Sequence, residues 1–246
     1  MKTLTFYNMK GGVGKTTAVV NFAYLAAQEG NYTLLWDLDP QRAATFHFRM
    51  NPESGIKSKH LQKDKEDIGR LIKATDYQYL DLIPANLKLR HINAVLRNIE
   101  NGTKILSKVI QQLASRYDYV FFDCPTGISV LTESLFRIAD YLVIPVIPTT
   151  LALQTFNQIR LYLSKHVQEE PQIIPFFSMV DQRKSLHQQI IETSGSEGLF
   201  CKASIPTRSI IEQMGLHRAP LPYFNPDSKA TLEYKALWEE IKTRIL

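Results

Sequence analysis

The chain has 246 residues, is 44% hydrophobic and carries a formal net charge of +5, enough for one sizeable core and a modest attraction to polyanions. No apolar run approaches the roughly 20 residues that span a bilayer, and the first strand-like segment begins by residue 3, so neither a membrane span nor a signal peptide is expected and the expected location is cytoplasmic. Its two cysteines, Cys124 and Cys201, lack a CxxC spacing, and its six histidines lack metal spacing, which excludes a disulfide framework or a zinc site.

In chain order, Thr3-Leu4-Thr5-Phe6-Tyr7 reads as a short strand and Thr17 to Gln28 as a helix, with Asn8-Met9-Lys10-Gly11-Gly12-Val13-Gly14-Lys15-Thr16-Thr17 between them. Glycines at 11, 12 and 14 let the backbone approach closely and turn several N–H groups toward phosphate oxygens at a helix N-terminus. The segment from Gly11 through Val13 and Gly14 to Thr17 is therefore a phosphate loop for a nucleoside triphosphate. Lys15 holds the β- and γ-phosphates, and the Thr16 hydroxyl is a ligand for Mg²⁺.

Two further apolar strands end in acid, Leu34 to Asp37 with Asp39 just beyond, and Tyr119 to Asp123. In an open parallel sheet, ligands collect past the carboxyl ends of the strands, so Asn8, Asp37 and Asp123 converge on one site. More strands are expected at Leu80–Pro84, Tyr141–Pro145 and Ile173–Val180, with helices at Ile105–Arg116, Ser129–Ile138 and Thr149–Lys165. This alternation predicts an α/β fold, a single doubly wound and mostly parallel sheet flanked by helices, in one domain over 1–246. Residues 46–75 carry dense mixed charge and read as a solvated loop and helix face. Near the end, Leu232, Ala236, Leu237, Ile241 and Ile245 recur at helical spacing and read as a core-packing face.

An ordinary phosphate loop has glycine where this chain has Met9, and a second lysine, Lys10, follows. The resulting K-G-G-x-G-K-T-T pattern, with D-x-D-P-Q at Asp37–Gln41 and D-C-P at Asp123–Pro125, resembles the ParA/MinD group of P-loop ATPases, and the small ParA/Soj partition type in particular. That resemblance implies ATP and Mg²⁺ as cofactors and slow hydrolysis. Lys10 would reach the partner's ATP in a nucleotide-dependent homodimer, Asp39 would position the attacking water, Asp123 would hold Mg²⁺ through a water, and Asp37 would support the site. Thr126-Gly127 stands where the family often has a second proline, which makes the switch segment more mobile.

The resemblance also implies non-specific DNA binding through Arg183, Lys184 and Arg208, association with the nucleoid when ATP is bound, and a ParB-like or other cargo adaptor. The alternative is a MinD-like membrane-cycling ATPase, which would need a basic amphipathic helix beyond the domain. An electron carrier like the nitrogenase iron protein would need paired interface cysteines, and a ligase like dethiobiotin synthetase usually lacks the signature lysine.

Overall fold

The computed structural model describes residues 1–55, 68–97, 102–195 and 198–245. Its strands are β1 Lys2–Phe6, β2 Thr33–Asp37, β3 Lys73–Ala74, β4 Leu80–Ile83, β5 Tyr119–Asp123, β6 Tyr141–Val146, β7 Gln172–Val180 and β8 Ile205–Pro206. Its α-helices are α1 Lys15–Gln28, α2 Ala43–His47, α3 Ile92–Arg97, α4 Gly102–Leu113, α5 Val130–Ile138, α6 Thr150–His166, α7 Ser185–Gly195, α8 Ser209–Glu212, α9 Met214–His217, α10 Leu221–Phe224 and α11 Lys229–Ile245.

The strands form one sheet in the order β3-β4-β2-β5-β1-β6-β7-β8. All neighbours are parallel except β3 and β4. β1 lies inside the sheet, with β5, β2, β4 and β3 on one side and β6, β7 and β8 on the other. The chain leaves β1 for β2 on one side and later leaves β5 for β6 on the other. The direction of winding therefore reverses beside β1, where an open α/β sheet leaves a crevice at its carboxyl edge.

The strands are apolar nearly throughout because both faces are covered, and alternate side chains serve opposite cores. Phe6, Leu35, Phe121 and Phe176 join the layer built by α1 and α11. Tyr7, Trp36, Phe122 and Phe177 join the layer built by α4, α5 and α6. In the first layer Phe22 of α1 stacks on Trp238 of α11 at 5.9 Å between ring centroids; in the second, Phe177 stacks on Phe200 at 4.3 Å.

Helix starts follow the local chemistry. Ser129 caps α5 in a reciprocal box with Thr132, and the Thr149 side chain accepts from the Ala152 amide at the start of α6. The helix expected at Ile105–Arg116 begins and ends earlier, as α4. Along α11 the buried side is Tyr234, Leu237, Trp238, Ile241 and Ile245, while Leu232 is 56% exposed and Ala236 also faces out. This corrects the expected face. The aromatic pair that meets Phe22 and Tyr119 sets the rotation of the helix. Most of the charges of the 46–75 segment, including Lys57, Lys59, Lys63 and Lys65, lie outside the described residues.

Candidate nucleotide site

The loop between β1 and α1 is pinned at its start. Asn8 Nδ2 donates to the Pro145 carbonyl at 2.7 Å, and its Oδ1 accepts from the Lys10 amide at 2.9 Å. At its end Gly14 takes φ 87°, and a Cβ there would come within 2.9 Å of Ser178 Oγ. Only glycine meets both constraints, the left-handed turn and the close approach of β7. No side chain caps α1 and no acid occupies its first turn. Its first amides and the positive end of its dipole are therefore directed at the loop, which suits them to an anion.

Lys15 is 7% exposed, and its Nζ donates across the loop to the Lys10 carbonyl at 3.4 Å. Thr16 Oγ1 donates to Asp123 Oδ2 at 2.8 Å. Pairing of the strands puts Phe6, Asp123 and Asp37 side by side at the sheet's carboxyl edge. Asp37 accepts from the Asp39 amide at 3.1 Å and from the amide and hydroxyl of Thr45 at 2.8 and 2.7 Å. Asp39 stands at the mouth, its Oδ1 accepting from the Gln41 amide at 2.8 Å.

The electrostatics of this edge are unbalanced. Burial, opposed by the Thr45 and Asp39 hydrogen bonds and assisted by the Asp39 charge, pushes the Asp37 carboxyl up to about 6. Asp123 is pushed well above the usual carboxylate range by burial and then by the Asp37 charge; the Thr16 hydrogen bond and Lys15 pull the other way. Asp123 Oδ1 is buried without a hydrogen-bond partner. The Thr16 hydroxyl and the unpartnered Asp123 oxygen are hard oxygen donors that fit Mg²⁺, and its charge would relieve the crowded carboxylates around them.

Gly11, Lys15, Thr16, Asp39, Gln41 and Thr126 line one cleft of 480 Å³, so the structure brings the phosphate loop, the D-x-D-P-Q aspartate and the Thr126-Gly127 segment together. A second cavity of 240 Å³ shares Gly12, Gly14 and Thr17 with it and continues to Met179, Ile205 and Pro206. Sequence reasoning missed this apolar extension. It depends on β8 pairing with β7, and an Ile-Pro dipeptide shows nothing of that distant partner. Lys10 is half-buried and lines neither cavity.

The expected basic surface residues divide. The Arg183 side chain is 90% exposed and chelates Asp181 at 3.0 and 3.1 Å, which brings that carboxyl down to about 2. Lys184 follows it, exposed, before α7. Arg208 is different. Its guanidinium forks onto Glu233 at 2.7 and 2.5 Å, its side chain is 25% exposed, and it lines the second cavity. Arg208, expected to contact DNA, thus has its charge matched within the chain by Glu233.

A family profile described as an AAA domain matches residues 1–174. The chain is 30% identical to the sporulation initiation inhibitor protein Soj of Bacillus subtilis, covering 98% of each. It is 28% identical to the chromosome-partitioning ATPase Soj of Treponema pallidum, over 99% of this chain and 98% of that one. Among solved structures, a plasmid partition protein from Borrelia burgdorferi bound to AMPPNP superposes with a TM-score of 0.82 at 24% identity, covering 99% and 98% of the two chains. The cell division ATPase MinD of Pyrococcus furiosus superposes with a TM-score of 0.79 at 19% identity, over 99% of both.

Proposed function

The chain belongs to the Soj/ParA family of P-loop ATPases, and on that footing we propose that it is a partition protein that segregates or positions DNA or another large cargo. Its cofactors are ATP and Mg²⁺. The observation that carries the reading is the convergence of Lys15, Thr16 and Asp39 on one cleft at the sheet's carboxyl edge, with Asp123 bonded to Thr16 behind it. The loop amides and Lys15 would hold the phosphates, and the apolar cavity between Gly12 and Pro206 would take the base.

Hydrolysis of a phosphoanhydride needs positioning and charge stabilisation more than covalent help. Bound Mg²⁺ supplies charge neutralisation to the phosphates, and Thr16 and Asp123 are the residues that would hold it. Lys15 offsets negative charge on the phosphates, and Asp39, fixed by the Gln41 amide, orients the attacking water. Intrinsic turnover is slow in this reading. Lys10 works in trans, which accords with its absence from the cavities of its own subunit.

In this reading ATP joins two chains, and the dimer binds DNA without sequence preference through Arg183 and Lys184. It then occupies the nucleoid until a ParB-like or other adaptor stimulates hydrolysis. A membrane-cycling role has less support, since the apolar side of α11 is spent on the core. Phosphate release with Mg²⁺ and ATP tests the assignment. Lys15→Ala and Asp39→Ala should each lower the rate by about 100-fold or more; parental rates in both would overturn these roles.

A further inference from the structure

The loop that carries Asp39 runs into α2, and against that helix lies a separate cavity of 430 Å³. Ala43, Phe46, Met50 and Pro52 make its apolar wall, and Arg42 and Arg218 supply its charge. Among the described residues, no Asp or Glu lines it. Arg49 adds a third guanidinium to this face, donating to the His217 carbonyl at 2.9 Å. Arg218 crosses the face: its Nε donates to the Phe46 carbonyl at 3.0 Å and its guanidinium lies 4.6 Å from the Phe46 ring centroid.

The backbone makes the arrangement unusual. Arg42, Arg49 and Arg218 have φ values of 61°, 58° and 48°, a conformation that a Cβ disfavours and glycine adopts freely. Three turns that glycine would make without strain instead carry long cations, two of them lining the cavity and Arg49 bonded to His217 beside Arg218, so the side chains rather than the turns are what this face requires. Phe46 and Leu216 remain 48% and 83% exposed beside it, widening the apolar surface.

The geometry points to a docking site for an acidic peptide segment of a partner protein, with an apolar side chain seated in the cavity and flanking carboxylates on Arg42, Arg49 and Arg218. Charge complementarity selects this occupant, and the apolar wall separates it from a nucleic-acid backbone, which has no apolar group to fill it. The site also reaches the chemistry. Gln41 lines both this cavity and the nucleotide cleft and donates to Asp39, while Thr45 lines the cavity and donates to Asp37. Peptide seated on α2 therefore shifts the rate of hydrolysis. That consequence rests on the role proposed for Asp39, whereas the docking does not.

The test is fluorescence anisotropy of the full chain with labelled peptides of about 12 residues, each with a central Phe, Leu or Trp flanked by glutamates, and lysine-flanked versions as controls. An acidic peptide should bind, lysine versions should not, and Arg42→Gly with Arg218→Gly should weaken binding by about tenfold or more. Because glycine relaxes a positive φ, the double variant should melt no lower than the parent and still bind a fluorescent ATP analogue. Arg49→Gly should weaken binding in the same direction. Binding of none of the acidic peptides, or equal binding by the double variant, would overturn the site. Displacement of the peptide by unlabelled duplex DNA would assign the face to DNA instead. A parent chain without ATP turnover would sink the proposed function and leave the anisotropy result standing.

Discussion

Asp123 shows how the requirements of the site oppose those of the fold. Its carboxylate is fully buried, hydrogen-bonded at one oxygen only, and adjacent in register to the equally buried Asp37. Both groups have folded-state pKa values above the ordinary carboxylate value. A raised carboxyl pKa contributes stability that is fully present below the unfolded value and is lost as pH rises toward the folded one. For Asp37 that window runs from 3.8 to about 6, and Asp123 extends the loss in the same direction. The nucleotide-free chain should therefore melt at lower temperature as pH rises across this range. Asp123→Asn should flatten the profile and raise the melting point at about pH 8 by roughly 5–10 °C, corresponding to about 2–3 kcal/mol for relief of a buried charge. The same variant should lose Mg²⁺-dependent hydrolysis. Scanning calorimetry at several pH values, paired with phosphate release, checks both halves. A variant less stable than the parent at high pH would show that Asp123 is satisfied in the free protein. Adding Mg²⁺ and ATP to the parent should oppose the loss, since the bound cation favours the ionised carboxylates.

At the scale of elements, the nucleotide site was legible because its parts are local. A glycine-rich turn between a strand and a helix, and acids closing apolar strands, are determined by neighbouring residues, and they appear where the spacing puts them. What escaped depends on distant partners. The two-residue strands β3 and β8 exist only as additions to β4 and β7, and no periodicity is readable in two residues. The short helices α8, α9 and α10 are likewise too brief to show a repeat. Along α11 two apolar stripes compete at helical spacing, and the choice falls to the one carrying Tyr234 and Trp238, which meets the rings of α1 and β5. Trp238→Ala should accordingly cost about 3–5 kcal/mol in urea unfolding, and Leu232→Ala no more than about 0.5 kcal/mol. Equal costs would mean that the helix is rotated away from this packing. The Arg208–Glu233 pair is a second case of long-range choice, since a charge that looks free in sequence is matched by α11, 25 residues later. If Arg208 serves DNA at all it must first leave Glu233, so Glu233→Gln should raise DNA affinity. An unchanged affinity would confine Arg208 to holding α11 beside the second cavity.

For the whole molecule, the proposed ATP-dependent dimer would change which charges face one another. Two bound nucleotides, each with Asp37, Asp39 and Asp123 nearby, would repel across a shared interface unless cations intervene; in the proposed dimer Lys10, which lines neither nucleotide cavity of its own chain, would supply one from each subunit. Lys10→Ala should stay monomeric with ATP while still binding nucleotide through Lys15, and light scattering that found equal dimer content in variant and parent would remove the trans role. In the proposed reading DNA binding follows from dimerisation. A single chain offers Arg183 and Lys184 from one exposed turn, and the Arg183 charge is shared with Asp181. Two copies aligned in the proposed dimer would contact several phosphates at once, so affinity should rise with ATP and fall steeply with salt, because each neutralised phosphate releases counterions. Arg183→Glu should weaken binding to unrelated duplexes alike, since phosphate contacts carry no sequence information, and should leave the ATP-dependent dimer intact. Lys184→Glu should act in the same direction. Titrations of two unrelated duplexes at two salt concentrations, with ATP and with ADP, decide the matter. Binding indifferent to nucleotide and salt would detach DNA from the ATP cycle, and tight binding to anionic vesicles without any to DNA would transfer the cycle to a membrane surface.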